Sequence, residues 1–154
     1  MGIHPFGKNR IIGIDHGSVR IGIAVSDESG SIAFGKETIP NDSKSLSKIL
    51  SLIKENEASK VIVGYPLNLK GDKTKQTLEV DKFLNELKNL LLKESIDTEI
   101  IEWDERFTSK MAVDSMIASG MKKKNRQNKN NIDIISAAIM LQSYLDSSKS
   151  SNLF

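Results

Sequence analysis

Residues Ile11-Ile12-Gly13-Ile14-Asp15-His16-Gly17-Ser18 lead directly into Val19-Arg20-Ile21-Gly22-Ile23-Ala24-Val25-Ser26-Asp27. Two stretches rich in Ile and Val, 10–15 and 20–26, flank a short turn at His16-Gly17-Ser18-Val19. This pattern predicts a pair of strands. The first strand ends in a carboxylate, and a half-buried carboxylate is costly unless it is paired or bound to a metal. Whatever fold forms must place Asp15 at a strand end and give it a partner. Taken alone, the stretch fits a plain hairpin turn, a phosphate loop or a metal site.

The remaining elements follow from periodicity. A third strand is predicted over 31–38, after the Ser29-Gly30 turn, and three strands on short turns make an antiparallel meander. Asn41-Asp42-Ser43 reads as a helix cap before Leu46, Ile49, Leu50 and Ile53 at helical spacing. Val61-Ile62-Val63-Gly64 is a buried strand stopped at Tyr65-Pro66. Val80, Phe83, Leu84, Leu87, Leu90 and Leu91 mark a helix over 73–93, and 98–103 is a fifth strand. A further helix is expected from Thr108 or Ser109 to Gly120, carrying Met111, Ala112, Met116 and Ile117. The basic loop 121–131 precedes an apolar helix over 132–145, and the serine-rich tail 147–154 is expected to fray. The order β-β-β-α-β-α-β-α-α, without repeat or linker, predicts one α/β domain over 1–154.

Composition removes several functions. The 154 residues include no cysteine and two histidines, which excludes disulfides and thiolate sites and disfavours zinc. No run reaches the roughly 18 apolar residues of a membrane span, and the start lacks a secretory core. The expectation is a soluble, cytoplasmic protein. The net charge is +2, yet Lys122, Lys123, Lys124, Arg126 and Lys129 fall close together with no acid among them. The rest of the chain is net acidic. Such a local basic cluster suits either a nucleic-acid contact or a solvated loop.

Three acidic positions share a context. Asp15 ends the first strand, Asp104 and Glu105 follow the fifth, and Asp133 opens the last helix among Ile132, Ile134 and Ile135. Where the first and fourth strands lie side by side, these ends converge. Carboxylates without histidine or cysteine favour hard, oxygen-seeking ions such as magnesium or manganese. Two such ions support phosphodiester cleavage. Singly, each acid also reads as a turn or helix-start residue. Arg20 and Lys8 are candidate phosphate contacts, and Ser18, Thr108 and Asn68 are candidate hydrogen-bond partners of substrate. His16 is a candidate proton shuttle or an incidental turn residue, and Trp103 and Phe107 read as core anchors.

The motifs Gly13-Ile14-Asp15-His16-Gly17-Ser18, Arg20-Ile21-Gly22-Ile23-Ala24-Val25-Ser26-Asp27, Val63-Gly64-Tyr65-Pro66-Leu67-Asn68, Asp104-Glu105-Arg106-Phe107-Thr108 and Asp133-Ile134-Ile135-Ser136-Ala137-Ala138 together resemble the YqgF/RuvX family. The resemblance covers residues 8–146. It implies a ribonuclease H-like fold, with a five-stranded mixed sheet, three strands antiparallel and then parallel ones, flanked by helices. It also implies a nuclease using Mg2+ or Mn2+, with Asp15, Glu105 and Asp133 as metal-binding catalytic acids and Asp104 as rival for the middle place. Arg106 and Thr108 belong to the same motif. Lys122, Lys123, Lys124 and Arg126 fall where the family has a mobile segment, a nucleic-acid contact. His16 departs from the aromatic residue usual after the first aspartate.

The implied substrate is precursor 16S rRNA, with branched DNA at Holliday junctions as the alternative, on a monomer or homodimer without membrane contact. Two other readings remain at this level. A kinase-type phosphate loop begins with the same Gly-Ile-Asp pattern, but needs a duplicated fold longer than this chain. A non-catalytic nucleic-acid-binding module is disfavoured by intact carboxylates, which repel phosphate unless a metal bridges them.

Overall fold

The computed structural model describes residues 10–108 and 129–152. Strands β1 (Ile11–His16), β2 (Arg20–Ser26) and β3 (Ala33–Pro40) form the antiparallel meander. Helix α1 (Ser45–Glu55) leads to β4 (Lys60–Tyr65), and α2 (Lys75–Lys93) leads to β5 (Glu99–Asp104). β4 lies parallel to both β1 and β5. The sheet order is β3-β2-β1-β4-β5, so the expected five-stranded mixed sheet is present, with β1 beside β4.

Alternation along the strands divides the core in two. Ile12, Ile14, Ile21, Ile23, Val61 and Val63 face α1 and α2, where Ile49, Ile53, Val80, Leu84 and Leu87 complete one cluster. Ala24, Ala33 and Ile62 face a last helix, α3 (Lys129–Asn152), through Ala137, Ala138, Met140, Leu141 and Leu145. The sheet leaves room for α3 at Gly13, Gly22 and Gly35, each of which lies directly under that helix. A Cβ on Gly22 would lie 2.3 Å from the backbone oxygen of Asp133. Only glycine lets the start of α3 sit this low on the sheet, and the contact is with backbone, which cannot swing aside. Gly22→Ala is therefore expected to cost about 3 kcal/mol by overpacking, measured by urea unfolding.

Several boundaries differ from the sequence reading. β3 starts at Ala33 and reaches Pro40, because Asp27 organises the preceding turn. Its Oδ1 accepts from the Ser31 and Ile32 amides at 2.7 and 3.0 Å. Asn41-Asp42-Ser43 does not cap α1. Lys44 takes the N-cap place without a side-chain bond, since Asp42 closes its own turn by accepting from the Lys44 amide at 2.9 Å. Thr74 caps α2 in a reciprocal box with Thr77. Residues 147–152, read as fraying tail, continue α3, since the serine-rich run contains no glycine or proline to stop it. The helix also begins at Lys129, inside the stretch read as basic loop. The helix expected from Thr108 or Ser109 to Gly120 lies outside the described residues, as do Lys8, Lys122, Lys123, Lys124 and Arg126.

Candidate active site

The parallel strands β1, β4 and β5 all end on one edge of the sheet, and the acids collect there. Asp15 is the next-to-last residue of β1, and Tyr65 of β4 pairs with Asp104 of β5. Beyond β5 the chain makes one 3-10 turn, Glu105–Phe107, capped by the Asp104 carboxylate on the Arg106 amide at 2.9 Å. This turn reverses the direction of consecutive side chains. Asp104 faces outward and binds Arg106 through Nε and Nη2, the shorter contact being 2.6 Å. Glu105 faces inward and hydrogen-bonds Asp15.

Glu105 leaves β5 and must cross β4 to reach β1. Gly64 provides the passage, because a Cβ there would stand 2.6 Å from Glu105 Oε1 and 2.8 Å from Met140 Sδ. Both obstructed atoms belong to flexible side chains. Gly64→Ala is therefore expected to change stability by less than about 1 kcal/mol while lowering kcat by roughly tenfold or more through displacement of Glu105. Chemical denaturation and single-turnover cleavage, run side by side, check the two halves of this expectation.

Burial dominates the electrostatics of the pair. It raises the pKa of Asp15 above the usual carboxylate range, and repulsion from Asp133 adds to this, while the hydrogen bond from Glu105 works the other way. Glu105 is pushed up to about 7 by burial, by the Asp15 charge and by donating its own proton to Asp15. Burial and mutual repulsion thus both favour keeping a proton on the pair. Asp104 shows the opposite, its carboxyl held low by Arg106.

A cavity of about 330 Å³ opens on this pair, lined by Asp15, Glu105, Thr108, Ser136, Ile139 and Met140. Ser136, Ile139 and Met140 were not singled out from sequence as site residues. The i, i+3 spacing from Asp133 to Ser136 carries the signal for Ser136, since it puts both on one face of α3. Thr108 closes the 3-10 turn by donating its amide to the Glu105 carbonyl at 3.2 Å. Asp133 is near enough to act on Asp15, but its carboxylate accepts from Arg20 Nε at 2.8 Å. Among the described residues no three acidic or imidazole side chains stand together as metal ligands.

Other candidates lie elsewhere. His16 points to the opposite face of the sheet and stacks on Phe83 at 4.7 Å, filling an aromatic place in the core rather than the pocket. Ser18 donates to Glu79 at 3.2 Å and lines a larger cavity of about 390 Å³ on the α2 side, away from the carboxylates. Asn68 Oδ1 accepts from the Lys70 and Asp72 amides and so holds its own loop. Trp103 packs edge-on to Tyr144 at 5.9 Å. Phe107 is 64% exposed among the described residues, turned outward by the 3-10 turn, so it is no core anchor there.

The donor set fits a hard divalent cation. It offers only oxygens, and two half-buried carboxylates that favour keeping a proton are the kind of pair a hard cation would neutralise.

A meander of three strands followed by two parallel ones, with acids at the β1 and β5 ends, is the architecture of the ribonuclease H-like class. Thermus thermophilus RuvC, solved in complex with a Holliday junction substrate, shares it with a TM-score of 0.62 at 12% identity, over 92% of this chain and 95% of that one. A family model described as RuvX: Holliday junction resolvase matches residues 9–147, and the chain belongs to that family. It is a nuclease, a hydrolase of phosphodiester bonds. A protein of Sulfurihydrogenibium sp. (strain YO3AOP1) named "Putative pre-16S rRNA nuclease" is 44% identical over 144 residues, 94% of each chain. One of the same name from Flavobacterium psychrophilum is 43% identical over 136 residues, 88% of this chain and 96% of the other.

Proposed function

We propose that the chain acts as a single ribonuclease H-like domain that trims the 5′ end of precursor 16S rRNA with Mg2+ or Mn2+ at the Asp15–Glu105 site. The half-buried Asp15 and Glu105 carboxylates, which line one cavity at the ends of β1 and β5, carry this reading. Two bare, half-buried acids repel a phosphodiester, and a cation between them would reverse that sign. Asp15, Glu105 and Asp133 are the residues that would hold the metal. When bound, such ions activate water and stabilise the leaving oxygen. Thr108 and Ser136 line the same cavity and offer hydroxyls to substrate or to water. Arg20 and Arg106, now paired with Asp133 and Asp104, are the described cations available to backbone phosphate, and Lys122, Lys123, Lys124 and Arg126 are assigned the same role from their charge alone. Ser18 and Asn68 would meet substrate only beyond the carboxylate pocket.

The relatives at about 40% identity support the rRNA substrate. The family description and the likeness to RuvC favour a second reading, cleavage of four-way DNA. No helix among the described residues is long and apolar enough to cross a membrane. We place the protein in the cytoplasm, where ribosomes are assembled, as a monomer or homodimer. The test is cleavage of precursor 16S rRNA and of four-way DNA, with each ion and with EDTA, beside Asp15→Asn. The expected result is ion-dependent trimming of the RNA, lost in Asp15→Asn. Preferential cutting of the four-way DNA supports the second reading, and equal cleavage by Asp15→Asn overturns the site.

A further inference from the structure

Two residues of β2 grip Asp133. Its backbone oxygen lies over Gly22, and its carboxylate takes the 2.8 Å bond from Arg20. Residues 20 and 22 share one face of the strand, and Gly22 is the register partner of Asp15. The backbone of Asp133 is thus fixed beside the acidic pair, while its charge is turned onto a cation.

We propose that Arg20 is a positioning residue that couples nucleic-acid binding to loading of the acidic site with a divalent cation. The inference rests on the metal-site reading above. Arg20 has two competing partners of the same chemistry, the Asp133 carboxylate and a backbone phosphate of the nucleic acid. Its side chain is 33% exposed, so a phosphate can reach it from solvent. With Arg20 on Asp133, the acidic cluster loses one unit of negative charge and binds a cation weakly. With Arg20 on phosphate, Asp133 regains its full charge beside Asp15. The coupling is reciprocal, so the cation strengthens nucleic-acid binding by the same factor. The site is then fully charged only when substrate is on it, which keeps the free enzyme poorly loaded.

The experiment is Ca2+ titration calorimetry on the full chain. Each protein is measured alone and with an RNA oligonucleotide spanning the 5′ end of 16S rRNA, checked on a gel for intactness. The proteins are wild type, Arg20→Gln, Arg20→Met as a second charge-free variant, and Asp15→Asn, with circular dichroism to confirm folding. The expected result is that Arg20→Gln binds Ca2+ alone about fivefold more tightly than wild type. RNA should tighten Ca2+ binding to wild type and add nothing in the variant. A purely structural role for Arg20 predicts the opposite sign, because a loosened Asp133 weakens the site. Equal or weaker Ca2+ binding by both charge-free variants, or an RNA effect that survives in them, overturns the proposal. If Asp15→Asn binds Ca2+ like wild type, the metal-site reading fails and takes the proposal with it. Loss of Ca2+ in Asp15→Asn beside an unchanged Arg20→Gln removes the latch alone.

Discussion

Glu105→Gln is expected to lower single-turnover cleavage by about a thousandfold, while Asp104→Asn stays within about tenfold of wild type. The contrast follows from the 3-10 turn after β5. Glu105 faces Asp15 across Gly64, and Asp104 faces Arg106 on the outside. Glutamine keeps the shape and a hydrogen bond but loses the charge that would hold a cation. Such stabilisation contributes several kcal/mol to the transition state, and each 1.36 kcal/mol is tenfold in rate. Asp104→Asn retains the capping oxygen for the Arg106 amide and loses an ion pair that is partly open to solvent, with side chains 33% and 16% exposed. Such pairs contribute about 1 kcal/mol or less. The measurement is the rate with saturating enzyme on one RNA substrate for both variants. A reversed order would show that the outward carboxylate is the working one.

The sequence carried the sheet and left the last steps of the site open, for identifiable reasons. Strand alternation around Asp15 and the parallel run at Val61 are local patterns, and both survive in β1 and β4 with boundaries moved by a residue or two. Which of Asp104 and Glu105 points inward is not local. It depends on one 3-10 turn and on the empty place at Gly64, a neighbour only after β4 and β5 have paired. The role of His16 was open for a related reason. Alternation puts it opposite Asp15, but only the packing of α2 shows that Phe83 waits there. The Arg20–Asp133 pair joins residues 113 positions apart, and no periodicity connects them. Ser136 was missed, because its helical spacing to Asp133 points to the site only once Asp133 is set over the sheet.

In the absence of divalent cations, the acidic pair should make the protein less stable as pH rises. The Glu105 carboxyl titrates at about 7 in the folded protein, above its ordinary value of 4.5. The folded state therefore holds this proton more tightly than the unfolded chain does. The resulting stability is fully present below about pH 4.5 and is lost as pH rises through 7. Asp15 acts in the same direction. His16 opposes them. Its burial lowers its pKa from 6.5, so the folded state prefers it neutral, and that contribution grows as pH rises toward 6.5. Comparing wild type with Glu105→Gln in EDTA cancels the histidine and isolates the acid. The variant's advantage should grow between pH 5 and 8 by on the order of 2 kcal/mol, or roughly 4–8 °C in Tm for a domain of this size. Saturating Mg2+ should erase most of the difference by stabilising the wild type, since the cation takes the proton's place between the two carboxylates. A pH-independent gap between the two proteins in EDTA would mean that Glu105 is not held beside Asp15 out of water.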